Sequence, residues 1–162
     1  MSISNDGKHP FFDKYHDVAY IVSNDSRSIV SVCDKKNPKR KYILHNDIGK
    51  GLVVYHIDGG LISSNDTDKC DYGIYTDDDW LILVELKGCG YDHALEQINT
   101  TIDLLIKSPL RIKRVCARTV CSHIPKASTT NTKEVTLLKK LKTLNGTFEK
   151  KSVLFEEKLS KV

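Results

Sequence analysis

No apolar run in this chain approaches the roughly 18 residues that a bilayer-spanning helix requires. The opening residues also lack a basic stretch followed by an apolar one. A membrane protein and a secreted protein are therefore poor readings, and a cytoplasmic setting is the expectation. Cysteine is sparse and irregular: Cys33, Cys70, Cys89, Cys116 and Cys121 make an odd set with no C-x2-C pair. That excludes a disulfide framework and fits reduced thiols. Cys116 and Cys121 with His123 nearby do not make a zinc site, because positions five apart on a strand face opposite sides. Internal repeats and linker-like segments are also missing. So are the usual hydrolase signatures: the histidines lack partners at recognisable spacing, and Gly88-Cys89-Gly90 has no identifiable base.

The remaining composition is that of a globular domain. Of 162 residues, 40% are hydrophobic and 28% charged, enough for one sizeable core and little more. A single domain over 1–162 is expected, with a core at about 50–126. The net charge of +4 is unevenly spread. Residues 1–106 hold 11 Lys+Arg against 17 Asp+Glu, and the basic C-terminal part, 107–162, holds 14 against 4. Such a division fits a protein that binds a polyanion beside a carboxylate cluster, and equally a chain with solvated Lys-rich helices.

Apolar periodicity outlines the elements. Residues 1–17 carry weak structural signal. Strands are expected at 18–23, 28–33 and 41–45, with Asp34–Lys41, five basic residues around Asn37-Pro38, as an exposed loop. Residues 51–57 (GLVVYHI) and 70–75 read as further strands, and Thr76–Asp79 (TDDD) as a hairpin turn. Residues 80–87 (WLILVELK) are apolar on both faces until their end, as in a central strand covered on both sides. Asp92 is the expected N-cap of an amphipathic helix bearing Ala94, Leu95, Ile98, Ile102, Leu105 and Ile106, stopped by Pro109. A strand at 111–120, a helix at 133–144 and an extended segment at 148–155 follow. This order predicts an α/β (α+β) fold, a mixed central β-sheet flanked by helices.

Chemistry concentrates in residues 69–88, KCDYGIYTDDDWLILVELKG. Strand alternation turns Glu85 and Lys87 the same way, and the hairpin lays Asp71 beside them. Two carboxylates and an ammonium at the edge of a buried sheet are costly unless compensated, and a hard divalent cation is a natural compensator. Alternatively, Glu85 and Lys87 mark only where the strand emerges into solvent.

The pattern resembles the PD-(D/E)XK nuclease superfamily, which has the restriction-endonuclease-like fold. Its motif is an acidic residue on one strand and Glu/Asp-x-Lys on the next, here Asp71 and Glu85-Leu86-Lys87. The match extends through His56-Ile57-Asp58-Gly59-Gly60, Lys69-Cys70-Asp71-Tyr72, residues 84–88 (VELKG) and Ala94-Leu95-Glu96-Gln97-Ile98, covering roughly residues 50–126. It is similar to small nuclease-like proteins with these elements. The resemblance implies that Asp71, Glu85 and the Leu86 carbonyl are ligands of Mg²⁺ or Mn²⁺, and that Lys87 is the catalytic lysine. Gln97 matches a glutamine many relatives carry near the site, and also fits a boundary amide. Asp58 is either a further ligand or part of an ordinary Asp-Gly-Gly turn. Where the family has a proline before its aspartate, this chain has Cys70.

Among the basic residues after the motif helix, Arg118 and Lys126 are expected to contact nucleic acid, with Lys113 and Arg114 beside them. The expected function is hydrolysis of nucleic-acid phosphodiester bonds, with DNA the favoured substrate. The alternative is a catalytically inactive nucleic-acid-binding or protein-interaction module on the same fold. Small nucleases of this fold often pair, and a homodimer is compatible with the sequence without being signalled by it.

Overall fold

The residue pattern of 80–87 sets the architecture, because a strand apolar on both faces needs a layer on each side. The computed structural model, which describes residues 1–107, 111–126 and 131–162, provides both. Strand β6 (Trp80–Lys87) lies inside a six-stranded sheet with β1 (Ile21–Asp25), β4 (Leu52–His56), β5 (Tyr72–Thr76), β7 (Arg114–Cys121) and β8 (Phe148–Lys151), in the order β1-β4-β5-β6-β7-β8. The first four pair antiparallel, while β6, β7 and β8 run parallel. The sheet is therefore mixed, and the fold is α+β.

Helices α1 (Pro10–Lys14), α2 (Tyr91–Leu105) and α3 (Thr132–Thr143) contribute to the core on one face. A three-stranded sheet covers the other face: β2 (Ile29–Cys33), β3 (Lys41–His45) and β9 (Leu154–Lys158), in the order β2-β3-β9. Alternation along β6 divides it cleanly: Leu81 and Leu83 enter the helix-side core, and Ile82, Val84 and Leu86 the core beneath the second sheet. On α2, Ala94, Leu95, Ile98, Ile102 and Leu105 are buried, as their spacing predicts, each of the larger ones stabilising by about 1.5–3 kcal/mol. No helix among the described residues is long and apolar enough to cross a membrane.

Several local expectations change. The weak N-terminal segment holds α1, which buries Phe11 against Tyr55 and Tyr75. Residues 18–20 form a 3-10 turn capped by Asp17, and the strand begins at Ile21. Gly90, not Asp92, occupies the N-cap of α2: its left-handed backbone (φ 84°) turns the chain into the helix. Asp92 then sits in the first turn, where its charge suits the helix dipole. The segment at 148–155 is two strands in two different sheets, divided at Val153, whose φ is 63°. Pro109 lies outside the described residues.

Candidate active site

The sheet register brings Asp71 and Glu85 together. Tyr72 pairs with Val84 at the end of the β5–β6 ladder, and the Asp71 carbonyl accepts from Ile57 N–H at 3.0 Å, extending the pairing with β4. Asp71 thus lies across from Glu85. Its N–H donates to Glu85 Oε2 at 3.2 Å, and its own Oδ2 accepts from Leu86 N–H at 2.9 Å. Neighbouring residues of a strand address opposite edges. The Lys87 carbonyl accepts from Ser122 N–H on the β7 side at 3.1 Å. Leu86 therefore turns both its N–H and its carbonyl toward Asp71.

Helix α2 closes the same corner. Lys87 Nζ donates to Gln97 Oε1 at 3.1 Å, and Gln97 Nε2 donates to the Lys69 carbonyl at 2.9 Å. Buried Thr101 accepts from Cys70 N–H at 2.9 Å and donates to the Gln97 carbonyl at 2.7 Å. The two residues before Asp71 are therefore pinned to one turn of helix. Cys70 has the N–H that a proline lacks, and it uses it for this link.

Burial and like charge set the electrostatics. Glu85 is only 1% exposed, and burial, with the Asp71 charge adding to it, pushes its carboxyl well above the usual range; Lys87 pulls it back in part. Burial likewise raises the Asp71 carboxyl to about 6, against the Leu86 hydrogen bond and the Lys87 charge, which lower it. Among the described residues neither carboxylate has a cationic side chain within 4.0 Å. Two adjacent, largely buried carboxylates without a paired cation, beside a carbonyl on the same edge, are a donor set of the hard-oxygen kind that Mg²⁺ and Mn²⁺ accept. Asp58 lines the same cleft from the turn after β4, but its side chain is 59% exposed and paired with buried Lys69 at 3.5 Å.

The cleft has a volume of about 580 Å³, and Asp58, Asp71, Glu85, Leu86, Lys87 and Gln97 all line it. The expected cationic contacts do not. Arg118 is fully buried beneath the second sheet, where it pairs with Glu157 at 2.7 Å and lies over the Phe155 ring. The sequence signal failed there because nothing local announces that β9 covers that face of β7. Lys113 and Arg114 stand at the opposite end of β7, roughly 20 Å of strand from Lys87. Lys113 pairs with Asp79, and Arg114 stacks on Trp80 and donates to the Val162 carbonyl. Lys126 is exposed but borders a separate depression with Tyr91, Asp92, Glu134 and Lys150.

Residues that the sequence reading left aside do line the cleft: Cys33, Asp34, Lys35, Lys36, Asn37 and Arg40, all at or next to the basic loop. A second acidic group, Asp68, His93 and Glu96, gathers within 4.8 Å at the first turns of α2, though Lys133 already engages Glu96 at 2.5 Å. Comparison with protein-family models, curated proteins and solved structures returns no match for this chain.

Proposed function

We propose that the protein is a metal-dependent nuclease of the PD-(D/E)XK kind that hydrolyses phosphodiester bonds of nucleic acid, DNA first among its substrates. One observation carries the reading: Asp71 and Glu85 lie across from each other at the ends of neighbouring strands, shielded and without a paired cation among the described residues, with Lys87 on the same strand face as Glu85. The roles follow from position. Asp71, Glu85 and the Leu86 carbonyl would hold Mg²⁺ or Mn²⁺, and Asp58 would be available to join them once released from Lys69. When bound, the ion polarises a phosphate oxygen and lowers the pKa of a ligated water. Lys87, oriented by Gln97, stands ready to position the attacking water and to offset charge gathering on the phosphate oxygens. Gln97 and Thr101 position Asp71 through the backbone at residues 69 and 70.

The test is cleavage of single- and double-stranded DNA and RNA by the purified chain with Mg²⁺ or Mn²⁺, alongside calorimetric titration with Mn²⁺. Cleavage that disappears in Glu85→Gln and in Lys87→Ala, both still folded by circular dichroism, is the expected result, with Mn²⁺ binding lost in the first variant. Undiminished cleavage in both variants, or a wild type that binds DNA yet never cleaves it, defeats the proposal. The latter outcome selects a binding module.

A further inference from the structure

The cleft has a second wall that the metal-site chemistry leaves unused. It is the loop Asp34–Arg40 between β2 and β3, carried on the three-stranded sheet. The loop is tightly built. Asp34 Oδ1 accepts from Lys36 N–H at 2.8 Å, Asn37 Oδ1 from Lys39 N–H at 3.2 Å, and the Asn37 carbonyl from Arg40 N–H at 2.9 Å. Asp34 N–H donates to the Arg40 carbonyl at 3.0 Å and closes the base.

Arg40 fastens this loop to the metal-site strand. Its buried guanidinium pairs with Asp34 and donates to Ser122 Oγ at 2.9 Å, and Ser122 in turn donates its N–H to the Lys87 carbonyl. The guanidinium also passes so close to Gly88 that a Cβ there would lie 3.1 Å from Nη2. The loop is thereby held in place beside the end of β6.

Lys35 and Lys36 are the opposite case. Both are exposed, both line the cleft, and among the described residues neither has a carboxylate within 4.0 Å of its ammonium group. The one acidic side chain of the loop, Asp34, is taken by Arg40. The cleft therefore has carboxylates on one wall and two unneutralised ammonium groups on a rigid mount on the other. A small phosphodiester reaching the carboxylates has no need of that second wall, whereas a polymer with phosphates on either side of the reacting one does.

We propose that the β2–β3 loop is the substrate arm of the cleft, with Lys35 and Lys36 contacting backbone phosphates that flank the one at Asp71 and Glu85. The inference rests on the nuclease reading and adds the path of the substrate: a strand that continues past the reacting phosphate toward the second sheet.

The test is fluorescence anisotropy with labelled single- and double-stranded DNA oligonucleotides, in EDTA so that nothing is cleaved, over a series of KCl concentrations. The Lys35→Ala/Lys36→Ala chain is expected to bind about tenfold more weakly, with the slope of log K against log[salt] shallower by about 1–2, the release expected from two phosphate contacts. Lys139→Ala/Lys142→Ala removes the same charge from the exposed face of α3 and leaves both quantities unchanged. Equal effects of the two double variants, or none from the loop variant, overturn the arm, while wild-type cleavage of the same oligonucleotides with Mn²⁺ still upholds the nuclease. Loop-dependent binding by a wild type that never cleaves upholds the arm and overturns the nuclease. A wild type that binds no DNA overturns the arm, and one that also cleaves neither DNA nor RNA with Mn²⁺ overturns both.

Discussion

Asp71 and Glu85 make the native state pay for the site when no cation is bound. A carboxyl raised in the folded state binds its proton more tightly there than in the unfolded chain, so stability falls as pH rises between the two pKa values. For Asp71 that window runs from 3.8 to about 6. Above it the shift corresponds to roughly 2–3 kcal/mol of lost stability. Asp71→Asn keeps an oxygen for the Leu86 N–H and removes the charge. In urea denaturation without divalent cations, the variant should be more stable than wild type by about 2–3 kcal/mol at pH 8, the difference shrinking to nearly nothing by pH 4. A wild type that is equally stable or more stable than the variant at pH 8 would contradict the stated cause.

At the scale of elements, the site depends on how α2 grips the segment before β5. Thr101 is the buried residue that takes the Cys70 N–H. Thr101→Val preserves shape and leaves that donor unsatisfied, at a cost of about 1–3 kcal/mol. A fall in thermal stability together with weaker Mn²⁺ affinity is the expected outcome, because the residue before Asp71 loses its link to α2; reduced stability with unchanged Mn²⁺ affinity would reduce Thr101 to a packing role. The motif elements themselves were legible. Alternation in WLILVELK put Glu85 and Lys87 on one face of β6, the face that carries Leu81 and Leu83 into the helix-side core, and the TDDD turn laid Asp71 beside them. The N-cap of α2 was less legible, because Asp92 is a good capping residue by type and only the left-handed backbone of Gly90 shows where the helix begins.

For the whole molecule, folding ties the basic part of the sequence to the acidic part through a few ion pairs. Lys113, Lys133 and Lys140 of the basic part pair with Asp79, Glu96 and Asp103 of the acidic part. Lys150 pairs with Glu134, and Arg118 with Glu157 inside the core. The Arg118–Glu157 pair, joined by the Tyr42 hydroxyl at 2.7 Å, ties the second sheet to the first. Breaking one side of such a buried pair leaves an uncompensated charge, so Arg118→Met should cost about 3–5 kcal/mol in chemical denaturation. The salt slope of DNA binding should stay as in wild type; a shallower slope in a folded Arg118→Met protein would return that residue to the nucleic-acid interface.

By itself the sequence determined the mixed α/β character, the central strand, the amphipathic helix, and the convergence of Asp71, Glu85 and Lys87, while the place of Gln97 against Lys87 became visible only in the structure. All of these rest on periodicity or on a short hairpin, interactions encoded over a few neighbouring residues. Only the tertiary structure decided that a second sheet covers the other face, that Arg118 belongs to the core, and that the loop at 34–40 meets the end of β6. Those outcomes depend on β9 pairing parallel with β3 across more than a hundred residues. No local pattern specifies such a long-range pairing; it follows from which apolar surfaces remain to be buried once the first sheet has formed.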